Sequence, residues 1–338
     1  MINTMKMVTL ARHPKQVDVS SENFAMVEMP LPTLEAGQLL VKTLFIGVDA
    51  GSRAMMSQDP YVVNLKVGEP FVGTQIVEVI ESNHDDFIAG DLIHTMSVWS
   101  DYSVLTPEQL GPWCYKVDAG VPLGAHLGGI GFTGFTAWVG MHEIAQLKET
   151  DTVVVSAAAG AVGFAAGQIA RLQGAARVVG IAGGAEKCSY VVNEGKFDAC
   201  IDYRASDFAE QLAAACPNGV DVYFENVGGE IQQTVLPLMN DFGRIPLCGQ
   251  IAQYGDALSS GPNWFPLTLK RLTVRGFLAN DHFSEYEKYL VQVTEWYKQG
   301  KYLAPTSTIK GLENCDQAIN SLLSGQNIGR QLIQVADA

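Results

Sequence analysis

Two patterns of apolar and polar residues divide the chain. From about Val8 to Pro122 short runs rich in Val, Ile, Thr and Tyr are broken by Gly, Pro and Asp: Leu39 to Val48, Val72 to Ile80, Asp91 to Val98 and Tyr102 to Leu105. Runs of this kind predict a mostly β domain. From Thr152 the pattern changes to short apolar runs separated by helical segments: Val153 to Val155, Val178 to Ile181, Ala199 to Ile201, Val220 to Phe224, Gly243 to Leu247 and Leu272 to Phe277. That alternation predicts a parallel sheet with helices on both faces. Between the two, the Gly and Thr stretch Gly128 to Ala137 leads into a helix expected through Trp138 to Gln146. After about Thr306, a helical piece Cys315 to Ser324 and a strand Gln331 to Val335 are expected to complete the sheet of the first domain. The expected domains are therefore 1–126 together with about 304–338, and 127–303.

Composition narrows the class. The chain has 338 residues, 47% hydrophobic and 17% charged, which suits a folded protein of two domains. Its formal charge of -14 comes with no basic run, so nucleic acid is excluded as a partner. The longest low-polarity stretch, Thr152 to Gly167, carries Gly and Ser at turn positions and falls short of the roughly 20 apolar residues of a membrane span. It reads instead as strand, tight turn and helix. The first residues mix Lys6, Arg12, His13 and Pro14 into their apolar positions, which leaves no signal-peptide core, and export is not expected. The cysteines at 114, 188, 200, 216, 248 and 315 form no Cys-x-x-Cys pair and have no histidine at ligand spacing. They read as small core side chains in a reducing compartment, which points to the cytoplasm.

The strand-turn-helix segment carries the candidate chemistry. Val153-Val154-Val155 runs into Ser156-Ala157-Ala158-Ala159-Gly160-Ala161-Val162-Gly163, and helical spacing continues from Phe164 to Gln173. This is the order that the Rossmann dinucleotide fingerprint requires, with Ala158 in place of its first glycine. Gly160 would let the backbone approach a pyrophosphate at the positive end of the helix, and Gly163 would let helix and strand pack closely. The next strand ends Ile181-Ala182-Gly183-Gly184, about 20 residues past Gly160, where an enzyme using NAD places an acid for the ribose hydroxyls. No acid stands there. The two glycines leave room for a 2′-phosphate and Lys187 follows one helical turn later, so the expected cofactor is NADP(H). A bare strand-turn-helix, with Lys187 as an exposed first-turn lysine beside Glu186, fits the same residues.

The blocks Gly128-Gly-Ile-Gly-Phe-Thr-Gly-Phe-Thr-Ala137, Ile181-Ala-Gly-Gly-Ala-Glu-Lys-Cys188, Tyr223-Phe-Glu-Asn-Val-Gly-Gly229, Gly243-Arg-Ile-Pro-Leu-Cys-Gly-Gln-Ile-Ala-Gln-Tyr254 and Gly325-Gln-Asn-Ile-Gly329 occur in this order. With them the chain resembles the zinc-independent medium-chain dehydrogenase/reductases, in the branch of prostaglandin and leukotriene reductases, alkenal double-bond reductases and curcumin reductase. The resemblance implies a GroES-like first domain, a Rossmann second domain and a homodimer. It implies that Lys187 and Tyr203 hold the adenosine 2′-phosphate and that Asn226 holds the ribose and phosphate region. Cys248, Gly249, Ile251 and Tyr254 would form the wall beside the nicotinamide, Phe277, Leu278 and Ala279 would meet its carboxamide, and Asn327 would reach the cofactor from the returning tail. Read without the resemblance, Asn226 is a strand-end turn residue, Phe277 a core residue and Asn327 a turn cap. Relatives carry Val-Asp-Pro-Tyr-Met-Arg where this chain has Val48-Asp49-Ala50-Gly51-Ser52-Arg53, so a pocket tyrosine is missing, while Tyr61 matches another.

No zinc ligand set is present: 48–53 has no cysteine, Glu69 to Thr74 has no histidine, and the six histidines are dispersed. Reduction of a carbon–carbon double bond conjugated to a carbonyl needs no Lewis acid, because the charge that develops on the enolate oxygen can be met by a hydrogen-bond donor. The resemblance makes Tyr254 that donor, and a phenol with an ordinary pKa of about 10 stays protonated at neutral pH. The leading expectation is an NADPH-dependent reductase of small enals and enones. A zinc-independent quinone reductase and a dinucleotide-binding protein without turnover remain as alternatives.

Overall fold

The computed structural model describes residues 2–15, 18–57, 64–111, 114–118, 120–253 and 263–337. Packing divides the chain into two units, Met1–Leu127 with Thr306–Ala338, and Gly128–Pro305.

The first unit is mostly β. Its opening strands β1 (Thr4–Leu10) and β2 (Phe24–Pro30) pair antiparallel. Then come β3 (Leu39–Val48), the short helix α1 (Ala50–Met55), β4 (Val72–Ser82), β5 (Leu92–Val98), β6 (Tyr102–Leu105), β7 (Tyr115–Lys116) and the helix α2 (Leu123–Leu127).

The second unit opens with the helix α3 (Phe132–Val139). It continues as β8 (Thr152–Val155), α4 (Ala161–Leu172), β9 (Arg177–Ala182), α5 (Ala185–Asn193), β10 (Ala199–Asp202), α6 (Phe208–Ala215), β11 (Val220–Phe224), α7 (Gly229–Val235) and β12 (Met239–Leu247). It closes with α8 (Phe265–Lys270), β13 (Thr273–Gly276) and α9 (Tyr286–Lys298). The chain then returns to the first unit with β14 (Thr306–Lys310), α10 (Cys315–Leu323) and β15 (Arg330–Gln334).

Apart from β1 and β2, which form a two-stranded sheet of their own, the described strands of the first unit form a sheet ordered β14-β15-β3-β4-β5-β7, with β6 also paired to β3. The last strand, β15, lies antiparallel to β3 and parallel to β14. Val8, Leu10, Ile46, Val48, Phe71 and Trp99 share one core with Ile319 and Ile333 from the returning segment, so the two ends of the chain are fastened by apolar burial. The opening hairpin is a departure from the sequence pattern. Neither segment reads as a strand in the sequence: methionines, which carry little β preference, fill several of their apolar positions, and it is the burial of Val8, Thr9 and Leu10 that anchors the pair.

In the second unit the sheet runs β10-β9-β8-β11-β12-β13, and every pairing in it is parallel. β8 is buried along its whole length, as a central parallel strand covered on both faces must be. Strand order reverses between β8 and β11, the place where an open α/β sheet leaves a crevice for a ligand.

The helix expected from Trp138 to Gln146 begins earlier, at Phe132, and passes at Gly140 into a π-helical turn ending at Ile144. Its threonines do not break it. The Thr133 hydroxyl donates to the Gly128 carbonyl at 2.7 Å and that of Thr136 to Phe132 at 2.9 Å, while Phe135, Trp138 and Val139 are buried. Gly134 is required where this helix crosses the preceding loop, since a Cβ there would lie 1.8 Å from the Gly129 carbonyl oxygen. Boundaries elsewhere move by a few residues, as where the strand expected from Gly243 starts at Met239.

Candidate functional site

The turn after β8 sits at the reversal of strand order. Ala157 takes a left-handed conformation, φ 51°, which an alanine adopts only under constraint. The constraint is visible on both sides: Gly160 N–H donates to the Ala157 carbonyl at 2.9 Å, and Ala158 N–H donates to Ile181 of β9 at 2.9 Å. Gly163, in the first turn of α4, presses against the same segment. A Cβ there would stand 2.3 Å from the Ala157 carbonyl oxygen and 3.1 Å from the Ala158 Cα, so the glycine lets the helix close on the turn, where the sequence had pointed to the strand.

Three helices that follow strands of this sheet, α4, α5 and α7, begin at glycines, Gly160, Gly184 and Gly228. None of the three has a side-chain cap. The first N–H groups of a helix lack intrahelical partners, so an uncapped start leaves donors and a positive dipole end for an anion. With Ala161 and Val162 in the first turn of α4, this arrangement fits a dinucleotide pyrophosphate.

Beneath the turn lies a buried carboxylate that the sequence did not single out. Glu225, 0% exposed at the end of β11, accepts through Oε1 from the Ser156 hydroxyl at 3.0 Å and from the N–H groups of Val227 at 2.7 Å and Gly228 at 3.0 Å. Ser156 Oγ in turn accepts from Asn226 N–H at 2.8 Å, and the Asn226 amide donates to the Ser156 carbonyl at 2.8 Å. The ends of β8 and β11 are thereby locked together. The carboxylate stands directly before Asn226-Val227-Gly228-Gly229 at the end of an apolar strand, which is the only signal the sequence offers for it. Burial, and then the charge of Glu225, pushes the Tyr223 phenol well above its ordinary value.

Cys248 and Gly249 donate their N–H groups to the Glu225 carbonyl at 2.9 and 3.1 Å, and Ile251 donates to that of Asn226 at 3.2 Å. The segment after β12 is thus laced to the segment after β11. Burial, and then Glu225, pushes the Cys248 thiol up to about 12, so it is a neutral side chain near pH 7. Phe277 meets Phe224 edge-on with ring centroids 6.4 Å apart, Leu278 is exposed, and Ala279 is buried at the start of a 3-10 turn. In the first unit, Asn327 is buried and its amide donates to the Gly329 carbonyl at 2.7 Å, closing its own loop. Tyr61 and Tyr254 lie outside the described residues.

A second corner forms where β9 and β10 end. Asp202 accepts on one oxygen from Gly184 N–H at 2.9 Å and from Arg204 N–H at 3.0 Å, which holds its carboxyl below the ordinary range. Tyr203 lies against Gly183, where a Cβ would be 2.9 Å from its ring. Lys187, half-buried on α5, has its pKa lowered by burial first and then by the charge of Arg204. The sequence had pointed to Gly183, Lys187 and Tyr203 but not to Arg204.

Among the described residues no group of three or more His, Cys, Asp or Glu side chains comes together as a metal site. No described helix is long and apolar enough to cross a membrane.

Comparison with known proteins extends this geometry. A family model described as the N-terminal domain of oxidoreductase matches residues 6–112, and one described as zinc-binding dehydrogenase matches residues 161–295. The chain is 40% identical to the NADPH-dependent curcumin reductase of Escherichia coli, over 97% of this chain and 96% of that protein. It is 37% identical to the 2-alkenal reductase (NADP(+)-dependent) of Nicotiana tabacum, over 96% and 94%. The crystal structure of CurA from Vibrio vulnificus in complex with NADPH matches with a TM-score of 0.90 and 38% identity, covering 98% of this chain and all of that one (100%). A Rossmann sheet, a mostly β GroES-like unit and these matches define an oxidoreductase of the medium-chain dehydrogenase/reductase class. Within that class the chain belongs to the zinc-independent branch of curcumin, alkenal and prostaglandin reductases.

Proposed function

We propose that this protein reduces the carbon–carbon double bond of α,β-unsaturated aldehydes and ketones with NADPH. The observation that carries the reading is full-length similarity to reductases named for curcumin and for 2-alkenals, joined to a corner with two cations whose nearby acid, Asp202, already accepts on one oxygen from two backbone N–H groups. When bound, NADPH would supply the hydride that adds to the β-carbon of the substrate, and the α-carbon of the resulting enolate takes a proton from solvent or a nearby hydroxyl. The residues of the chain bind and orient the two molecules. The uncapped start of α4, from Gly160 to Gly163, holds the pyrophosphate, and Gly183, Lys187 and Tyr203 hold the 2′-phosphate. Asn226, Cys248, Gly249 and Ile251 flank the nicotinamide end, and Phe277, Leu278 and Ala279 meet the carboxamide through the backbone. Tyr254 donates a hydrogen bond to the carbonyl oxygen as it gains negative charge, and Tyr61 lines the substrate pocket.

NADPH consumption measured in parallel with a small enone, a 2-alkenal, curcumin and a benzoquinone tests the reading, with product analysis for the saturated carbonyl. Turnover of the quinone alone makes the protein a quinone reductase. Tight NADPH binding with no turnover of any of them makes it a dinucleotide-binding protein.

We further propose a homodimer. β13 is the outer strand of its sheet, and Phe265, Leu269 and Leu278 nearby in sequence are all more than half exposed, at 62, 56 and 68%. Sedimentation of the purified protein as a monomer at micromolar concentration removes that assignment. Six cysteines without a disulfide support a cytoplasmic location.

A further inference from the structure

The corner at the ends of β9 and β10 holds more positive charge than its neighbours neutralise. The guanidinium of Arg204 lies 5.5 Å from the centroid of the Tyr203 ring. A Cβ at Gly183 would stand 3.1 Å from Arg204 Nε and 3.2 Å from its Cζ, and one at Gly184 3.9 Å from a terminal nitrogen. The arginine thus lies along the glycine pair, in space that any side chain there would take. Asp202 is near, but one of its oxygens is already shared by the N–H groups of Gly184 and Arg204. Among the described residues no carboxylate comes within 4.0 Å of the charged end of Arg204 or Lys187.

We propose that Arg204 is a specificity-determining residue for the cofactor, closing on the 2′-phosphate opposite Lys187 with its guanidinium supported by the Tyr203 ring. The proposal rests on the NADPH reading above. Two cations held at one corner without a carboxylate between them repel each other; burial lowers the pKa of Lys187 first, and the charge of Arg204 lowers it further. A phosphate dianion relieves it, and neither AMP nor NADH offers one at this place. The planar fork of an arginine matches phosphate oxygens with two donors, which a lysine cannot reproduce, and the neighbouring Tyr203 side chain limits where the guanidinium can lie. The exposure of Arg204 limits the gain, because solvent screens the contact.

The test is titration calorimetry with 2′,5′-ADP and 5′-AMP, fragments that carry the adenosine end with and without the 2′-phosphate. Wild type is expected to prefer 2′,5′-ADP. Arg204→Ala and Arg204→Gln should weaken 2′,5′-ADP about three- to tenfold and leave 5′-AMP unchanged. Arg204→Lys should recover only part of the loss. The salt dependence of 2′,5′-ADP binding should fall in the Ala and Gln variants, since one charge contact is gone. If Lys187→Ala weakens 2′,5′-ADP and the Arg204 variants do not, the lysine recognises the phosphate alone and the proposal is overturned while the NADPH reading stands. If wild type binds the two fragments equally, the NADPH reading fails and takes the proposal with it.

Discussion

Tyr289 and Tyr302 donate hydrogen bonds to the same acceptor, the carbonyl oxygen of Gly129, at 2.5 and 2.8 Å, and both phenols are fully buried. They fasten α9 and the segment after it to the loop that leads into α3. The carbonyl has two lone pairs, so either bond can be lost while the oxygen stays paired. Tyr302→Phe or Tyr289→Phe should each cost about 1 kcal/mol of stability, and the double variant more than the sum, because a buried acceptor left without a partner costs roughly 1–3 kcal/mol. Urea unfolding of the four proteins measures the coupling. Additive losses would mean that the two phenols act independently.

The sequence disclosed the parts of this fold that rest on local pattern. β8 and β11 could be read from β-branched and aromatic apolar runs, and the turn from Gly160 and Gly163, because those signals lie within a few consecutive residues. Glu225 and Arg204 escaped because their meaning is set by partners distant along the chain. Ser156 is 69 residues from Glu225 and meets it only when β8 and β11 pair. Arg204 lies beside Gly183 only because β10 runs parallel to β9. The early start of α3 escaped for a different reason: glycines and threonines argue against a helix by propensity, although here the threonine hydroxyls bond back to carbonyls four and five residues earlier and the apolar face is buried. The corner proposed for the 2′-phosphate was thus half visible, through one cation and the missing acid.

Gly163→Ala places a methyl group 2.3 Å from the Ala157 carbonyl oxygen, closer than any relaxed contact. The turn or the first residues of α4 must shift, which moves the uncapped N–H groups at the helix start. Affinity for both NADPH and NADH should fall at least about tenfold, equivalent to roughly 1.4 kcal/mol, since the pyrophosphate is common to the two. A loss confined to NADPH would place Gly163 outside the pyrophosphate site.

Glu225→Ala removes the acceptor for Ser156, Val227 and Gly228 together, all of it buried. The expected loss is at least about 3 kcal/mol, whereas Glu225→Gln, which keeps an oxygen in place, should lose about 1–2 kcal/mol. Thermal and urea denaturation distinguish the two. Near-equal losses would show that the negative charge matters more than the acceptor geometry, and an Ala variant within 1 kcal/mol of wild type would remove the network from the account of the turn.

The lowered pKa of Lys187 makes a statement about pH. In the free protein burial and the charge of Arg204 disfavour its ammonium, with Glu186 offsetting them in part, so it gives up its proton at lower pH than an ordinary lysine. A 2′-phosphate dianion beside it favours the ammonium and raises that pKa in the complex. Below the free-state pKa both forms are protonated and affinity is flat. Above it the protein must take up a proton to bind, so NADPH affinity falls with rising pH, towards tenfold per pH unit at the limit, until the pKa of the complex is passed. NADH carries no phosphate at this place and should show no such fall. At the acid end NADPH affinity should also weaken below about pH 6, where the phosphate itself takes up a proton. Lys187→Met should flatten the alkaline fall and lower NADPH affinity where wild type is flat. Arg204→Gln should move the fall to higher pH, because the charge that depresses the lysine is gone. Dissociation constants for both cofactors between pH 5 and roughly pH 10, read by tryptophan fluorescence with folding checked by circular dichroism, give the profiles. Coincident profiles for NADPH and NADH would separate Lys187 from the 2′-phosphate.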